Sequence, residues 1–171
     1  MKHEGLALSR SATITQFFNF PDNVRLAIHF EAKREIDMIK RVGRTVINPK
    51  HLATCHCGAV VLELDLPDGI VDPRRCNCSI CRRKGTIVAS VPLSGIRIIK
   101  GQDVLRLYQF NTMTAKHYFC SICGIYTHHQ RRSNPEQYGY NVGCLEGVNP
   151  FEIENVPMND GVNHPADRGA S

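Results

Sequence analysis

Seven of the eight cysteines in this chain fall into three short clusters. The clusters are Cys55 with Cys57, then Cys76 with Cys78 and Cys81, then Cys120 with Cys123. A C-x-x-C turn brings two sulfurs to one point, and C-x-C does the same from an extended strand, where residues two apart face the same side. Clusters of this kind are typical of zinc sites, and Cys144 is the one cysteine outside them.

The number of clustered cysteines predicts two zinc ions. Four thiolates close a tetrahedron around zinc, whereas three leave one coordination position open. Spacing alone leaves two divisions of the seven. One joins Cys78 and Cys81 to Cys120 and Cys123, and leaves Cys55, Cys57 and Cys76. The other, which we favour because it keeps each cluster intact, joins Cys55 and Cys57 to Cys120 and Cys123, and leaves Cys76, Cys78 and Cys81.

An open three-thiolate site favours chemistry on a thiol. Three thiolates donate so much charge that their zinc is a weak Lewis acid toward water, which disfavours a metal-hydroxide hydrolase. Such a site is better suited to holding one more thiol as a nucleophilic thiolate. An iron–sulfur cluster also takes cysteine ligands, but the spacing matches neither of the usual ferredoxin patterns.

The cysteine segments carry a family resemblance. From residue 51 to about residue 152 the chain resembles the glutathione-dependent formaldehyde-activating enzymes and their relatives, which include centromere protein V. The matching segments are residues 55–60, 76–81, 118–124 and 141–147. The resemblance implies a structural zinc on Cys55, Cys57, Cys120 and Cys123, and a catalytic zinc on Cys76, Cys78 and Cys81. It also implies a fold of small antiparallel sheets arranged as a two-sheet tent around the metals.

The activity implied by this resemblance is that of a carbon–sulfur lyase. Glutathione sulfur, held at the zinc of Cys76, Cys78 and Cys81, attacks formaldehyde to give S-(hydroxymethyl)glutathione, or the reverse cleavage occurs. The expected partners are therefore a small thiol and an aldehyde. The second hypothesis is a zinc-stabilised binding module without catalysis, which a fourth protein ligand on the central zinc would favour.

The basic and histidine side chains near the clusters could serve the metal site or have an ordinary structural role. Some can offset the anionic metal centre and attract carboxylates of glutathione, or they can form an ordinary solvated charged surface. These residues are Arg74, Arg75, Arg82, Arg83, Lys84, Arg131 and Arg132. The histidines that can ligate metal or move protons are His56, His117, His128 and His129. His56 points away from the metal of its C-x-C pair, and at most one of His128 and His129 reaches the site because they alternate faces.

Composition limits the alternatives. The net charge of +5 resides mainly in residues 1–50, with nine basic and five acidic residues, whereas residues 51–171 carry twelve and eleven. The near-neutral cysteine-bearing part disfavours a nucleic-acid-binding zinc ribbon. No signal peptide or membrane span is evident, so we expect a cytoplasmic protein in which free cysteines bind metal rather than form disulfides.

Hydrophobic patterning predicts a mainly β domain behind an N-terminal extension. We place the boundary near Asn48, with an extension over residues 1–48 that is partly disordered or helical around residues 22–44, and a zinc-binding domain over residues 49–171. The helix would begin at Asp22 and carry an apolar stripe from Ile28 to Val42. Met38, which precedes a basic stretch, is an alternative start of the chain. After Lys50, strand patterns cover residues 62–66, 86–91, 96–99, 104–110, 117–119, 126–129 and 138–142.

Overall fold

The computed structural model describes residues 38–165, and the regular secondary structure in this part of the chain consists mainly of short strands. The strands are β1 Met38–Ile39, β2 Arg41–Val42, β3 Thr45–Val46, β4 Lys50–Thr54, β5 Val61–Asp65, β6 Ile70–Val71, β7 Arg75–Cys76, β8 Val88–Pro92, β9 Ile96–Lys100, β10 Leu105–Tyr108, β11 Lys116–Cys120, β12 Tyr126–Gln130, β13 Gln137–Asn141 and β14 Met158–Asn159. A single α-helical turn, α1, covers Cys81–Lys84. Four 3-10 turns cover Leu93–Gly95, Gln102–Val104, Val142–Cys144 and Pro150–Glu152. The predicted mainly β fold is confirmed.

Two larger sheets position the site. One has five antiparallel strands in the order β10-β11-β12-β13-β8, and the other has three in the order β4-β5-β9. Three two-stranded pairs complete the described fold, namely β1 with β6, β2 with β3, and β7 with β14. The last pair is parallel, in contrast to the expected antiparallel pattern. Parallel strands need a long connection, and more than eighty residues separate β7 from β14.

Alternating side chains build the core between these strands. In β5, Leu62 and Leu64 are buried while Glu63 lies on the other face, where it pairs with Arg97 of β9. Tyr140 of β13 is also fully buried. Burying a Leu side chain stabilises the fold by roughly 1.5–3 kcal/mol. Because a shift of one residue would expose every buried side chain of a strand, the alternating pattern determines which face of the strand packs inward.

The described residues before Pro49 belong to this core rather than to a separate extension. Met38–Ile39 pairs with Ile70–Val71, and Val42 and Ile47 are buried at 3% and 5% exposure. The predicted helix around residues 22–44 is therefore wrong over residues 38–44, where tertiary packing places two short strands and a turn at Gly43. The domain reaches at least ten residues further back than the predicted boundary near Asn48. The remainder of the predicted helix lies outside the described residues.

Across residues 38–165, the structure holds no helix with the length and apolar character that crossing a bilayer requires.

Candidate metal centres

Four cysteines from two distant parts of the chain meet at one point. Cys55 and Cys57 follow β4, Cys120 ends β11, and Cys123 lies in the turn between β11 and β12. Their four Sγ atoms all lie within 4.8 Å of one another. The Sγ atoms of Cys55 and Cys57 are 3.6 Å apart, and those of Cys57 and Cys120 are 3.7 Å apart.

These distances fit a single tetrahedral metal ion. Zinc–sulfur bonds of about 2.3 Å at tetrahedral angles place ligand sulfurs about 3.8 Å apart. An iron–sulfur cluster would instead spread its cysteine ligands over different iron atoms. The four sulfurs thus form a closed site that can hold one ion, and they leave no coordination position for a substrate.

Backbone geometry around this group prepares the sulfurs for a metal. Gly58 and Gly124 both have φ of +72°, which allows the two tight turns that follow the ligand pairs. The N–H of Val60 donates to the Sγ of Cys55 at 3.2 Å. A backbone hydrogen bond from Ile125 lowers the pKa of Cys123 to about 6, so this thiol is readily available as thiolate.

The other three clustered cysteines form a second group. Cys76 ends β7, Cys78 lies in the loop that follows, and Cys81 begins α1, and their Sγ atoms also lie within 4.8 Å of one another. Hydrogen bonds with Cys76 and Cys81 lower the pKa of Cys78, whereas hydrogen bonds with Cys76 and Cys78 raise the pKa of Cys81. Within residues 38–165, no fourth His, Cys, Asp or Glu joins this group. Three thiolates without a fourth protein ligand can hold a metal ion with one position open.

A strap of chain from β14 to Asn163 lies across the three-cysteine group. Asn77 anchors it, because its Oδ1 accepts hydrogen bonds from the N–H groups of Gly161 at 2.7 Å and Val162 at 3.1 Å. The Nδ2 of Asn77 donates to Asp160 at 3.3 Å. Gly161 lies so close to Cys76 and Cys78 that this strap closes one side of the group.

The basic residues around the three-cysteine group fall into different environments. Arg75, Arg82 and Arg83 are exposed, as expected of a solvated charged surface. Lys84, three residues after Cys81 on α1, folds inward, and its Nζ is fully buried 3.5 Å from the centroid of the Tyr126 ring. Burial lowers the pKa of Lys84, and the nearby thiols of Cys81, Cys78 and Cys76 oppose that shift.

Two histidines lie next to Lys84. His117 on β11 is buried and stacks on His129 of β12 with 5.1 Å between ring centroids. The Nδ1 of His129 hydrogen-bonds the hydroxyl of Tyr126 at 2.5 Å, whereas the buried Nδ1 of His117 has no hydrogen-bond partner among residues 38–165. Burial, followed by the charge of Lys84, lowers the pKa of His117 to about 4 and that of His129 well below its usual range. Both rings are therefore neutral at neutral pH.

The remaining candidates lie away from the three-cysteine group. His128 faces the opposite side of β12 from His129 and stacks on Tyr118 with 4.5 Å between ring centroids. His56 is exposed. Cys144 is buried, and its thiol donates to the carbonyl oxygen of Tyr126 at 3.7 Å. Burial raises the pKa of Cys144 to about 12, so it behaves as a small apolar side chain.

Arg74 and Arg131 are tied to a single carboxylate. The Nη1 of Arg74 contacts Asp72 Oδ2 at 2.6 Å and Ser90 Oγ at 2.8 Å. The Nη1 of Arg131 donates to the same Ser90 Oγ at 2.9 Å and lies 3.8 Å from Asp72. These contacts hold both guanidinium groups against Asp72 and Ser90.

The fold also contains a cavity of about 340 Å³. Its walls include His56, Arg75, Thr86, Cys144 and the exposed Phe151. None of the seven clustered cysteines lines it, so the cavity adds no ligand to either group.

Comparison with known proteins agrees with this geometry. The family model for the glutathione-dependent formaldehyde-activating enzyme matches residues 50–156, and the chain belongs to that family. The chain is also similar to a crystal structure of a Rhodobacter sphaeroides protein determined by structural genomics. The two are 59% identical, with a TM-score of 0.61, over 63% of this chain and 99% of the other. The resemblance drawn from the cysteine segments is thereby confirmed.

Sequence reasoning missed three features of the site. The run of basic residues gave no sign that Lys84 is buried while Arg82 and Arg83 are exposed. The one available signal was the spacing of Cys81 and Lys84, which places them on a common face of one helical turn. The ring of Tyr126 beside Lys84 and the strap at Gly161 had no local signal. Both depend on contacts between residues far apart in the chain.

Proposed function

We propose that this protein is a zinc-dependent carbon–sulfur lyase that condenses glutathione with formaldehyde to S-(hydroxymethyl)glutathione, or catalyses the reverse cleavage. Family membership supports a glutathione- and formaldehyde-related activity. The single observation that carries the proposal is the difference between the two cysteine groups. One has four sulfurs and is closed, while the other has three and no fourth ligand among the described residues.

In this proposal Cys55, Cys57, Cys120 and Cys123 hold a structural zinc, and Cys76, Cys78 and Cys81 hold the catalytic one. When bound, the catalytic zinc would supply a position where a thiol is stabilised as its thiolate. The three soft sulfur ligands suit zinc better than magnesium or calcium, which prefer oxygen ligands.

The overall reaction needs no further reactant. A sulfur–carbon bond forms, the π pair of the carbonyl moves to oxygen, and the proton lost by the thiol is taken up by that oxygen. The chain has to bind the thiol, remove its proton and keep the sulfur nucleophilic. We further infer a cytoplasmic protein, because clustered cysteines that bind metal rather than form disulfides are typical of a reducing compartment.

The test is the zinc-dependent consumption of formaldehyde, measured with and without glutathione against the uncatalysed condensation. We expect a rate above background only when glutathione and zinc are both present. Cys78→Ser should abolish it, while Cys144→Ala, which alters a buried cysteine outside both groups, should retain it. Binding of zinc and glutathione without any rate above background would favour a zinc-stabilised binding module.

A further inference from the structure

Lys84 is a buried cation without a partner of its own. Its Nζ is inaccessible to solvent and has no hydrogen-bond acceptor, and among the described residues it forms no ion pair with a carboxylate. The face of the Tyr126 ring, 3.5 Å away, attracts the charge but does not accept the three N–H groups as an oxygen would. A lone buried charge is unfavourable unless an opposite charge lies nearby.

The opposite charge near Lys84 is that of the three cysteines. Cys81, Cys78 and Cys76 are the groups whose charges favour the protonated form of Lys84. The helical turn brings this about, because Cys81 and Lys84 lie three residues apart on α1. Without a metal the site would carry several thiols in a crowded space. With three thiolates and one zinc ion it carries a formal charge of minus one.

Among residues 38–165, the other basic groups considered beside this site are neutral, paired with a carboxylate or exposed to solvent. The buried rings of His117 and His129 are neutral, since burial lowers the pKa of both. Arg74 is held by Asp72 at 2.6 Å. Arg75 beside Cys76, and Arg82 and Arg83 on the same helical turn as Lys84, are exposed, so solvent screens them.

We propose that Lys84 is the counter-charge of the three-cysteine site and that it makes the open position selective for an anionic fourth ligand, a thiolate, over a neutral one. This inference rests on the proposed function. Three thiolates, zinc and Lys84 together are formally neutral, and an incoming thiolate brings the whole to minus one rather than minus two. Lys84 is a positioning residue, because it acts on the reacting sulfur through the field at the site.

The structure separates this role from recognition of glutathione's carboxylates. The Nζ of Lys84 is buried, whereas a carboxylate of a bound peptide would need an accessible cation such as Arg75, Arg82 or Arg83. A thiol without carboxylates should therefore depend on Lys84 as strongly as glutathione does.

The test compares the binding of three probes to the zinc-loaded full chain by calorimetry. Glutathione has a thiol and carboxylates, 2-mercaptoethanol has a thiol and no carboxylate, and S-methylglutathione has carboxylates and no thiol. Lys84→Met removes the charge at similar length, and Arg82→Met and Arg83→Met remove the same charge from exposed positions. Zinc content is measured for every variant, and Lys84→Gln serves as a second neutral variant if Lys84→Met does not keep two ions.

We expect the loss of Lys84 to weaken both thiols by at least about tenfold and by the same factor, because a unit charge several ångströms from an anionic ligand contributes that much at a protein site. S-methylglutathione should be unaffected. Arg82→Met and Arg83→Met should leave 2-mercaptoethanol binding within about twofold, and Lys84→Arg should restore most of the lost thiol affinity.

Three results would overturn the inference. They are unchanged thiol binding without Lys84, a loss confined to the two carboxylate-bearing probes, and loss of zinc in both neutral variants, which would make Lys84 structural. If the unaltered protein binds 2-mercaptoethanol but not glutathione, the proposed function is wrong. The role of Lys84 is then still tested by comparing 2-mercaptoethanol binding to the unaltered protein and to the Lys84 variants.

Discussion

Gly161 packs directly on Cys76, such that a Cβ atom added to Gly161 would lie 2.5 Å from the Sγ of Cys76 and 2.7 Å from the Cβ of Cys78. These distances are shorter than any relaxed contact. The backbone of the strap cannot withdraw easily, because Asn77 holds the N–H groups of Gly161 and Val162. The three-cysteine group therefore depends on a glycine that is distant in sequence.

Gly161→Ala should selectively weaken metal binding at the three-cysteine group. The added methyl group must displace the Sγ of Cys76, whereas the four-cysteine group is untouched. We expect zinc content to fall from about two ions toward one, with the four-cysteine site still filled. Gly143→Ala is the matched control, since its added Cβ would meet nothing closer than 3.3 Å. Equal zinc content in both variants would show that the strap does not constrain the site.

Loss of a ligand should affect stability differently in the two groups. Cys55 and Cys120 are far apart in sequence and lie at the ends of β4 and β11, so a metal ion held there would tie the three-stranded sheet to the five-stranded one. Cys55→Ser or Cys120→Ser should lower the unfolding temperature strongly or prevent folding, because binding of a structural zinc is coupled to folding. Cys78→Ser should empty only its local site. Thermal unfolding with zinc analysis measures both effects, and the reverse ranking would contradict the assignment of structural and open sites.

Ile47→Ala should destabilise the domain, although residue 47 precedes the boundary expected from the sequence. Ile47 is 5% exposed and belongs to the central core, so its truncation should cost about 2–5 kcal/mol in the free energy of unfolding. Val46→Ala alters an adjacent apolar residue that is 48% exposed, and it should change this free energy by less than about 1 kcal/mol. Chemical denaturation of the two variants makes the comparison. Similar small losses would indicate that residues before Pro49 are dispensable.

Acidification should destabilise the protein partly through His128. Burial lowers the pKa of His128 to about 4, below the value of about 6.5 for an unfolded histidine. Between these two pH values the unfolded chain binds more protons, so stability falls as the pH decreases from about 6.5 to about 4. We expect this residue to account for a loss of about 2 kcal/mol between pH 7 and pH 5.

The measurement is the pH dependence of the free energy of unfolding in unaltered protein, His128→Gln and His56→Gln. His128→Gln should show a shallower decline, whatever its stability at pH 7, because the variant has no ring to protonate at this position. His56→Gln, which alters an exposed histidine, should follow the unaltered protein. Parallel declines for all three proteins would argue against a buried neutral His128.

The strands were predictable because their residues report burial locally. The alternation of Leu62, Glu63 and Leu64 predicted β5, and β-branched and aromatic runs predicted the strands of the five-stranded sheet. Strand β4 was not predicted, because the residues that point inward there are His51 and Ala53 rather than large apolar side chains. The helix expected around residues 22–44 was wrong over its described end. Ile39 there belongs to β1, which pairs with the distant β6, and Val42 belongs to β2, which pairs with the adjacent β3.

The grouping of the cysteines followed from intact sequence clusters, and the structure brings together the two groups favoured on that ground. The residues that surround the two groups could not be predicted from the sequence. Lys84 lies in an ordinary run of charges, and only the position of Tyr126, more than forty residues later, makes it a buried cation. Likewise, the contact of Gly161 with Cys76 arises from the parallel pairing of β14 with β7.

The proposed function requires that a thiol bind at the open position of the three-cysteine site. If a thiol binds there as its thiolate, glutathione binding must release protons near neutral pH, since the free thiol is mostly protonated. Calorimetric titration of zinc-loaded protein in two buffers with different ionisation enthalpies counts those protons. We predict release of about one proton per glutathione bound, and far weaker binding of S-methylglutathione, which keeps the carboxylates but has no ionisable thiol. Equal affinity for the two compounds, or binding of glutathione without proton release, would contradict the assignment of an open thiol-binding zinc to Cys76, Cys78 and Cys81.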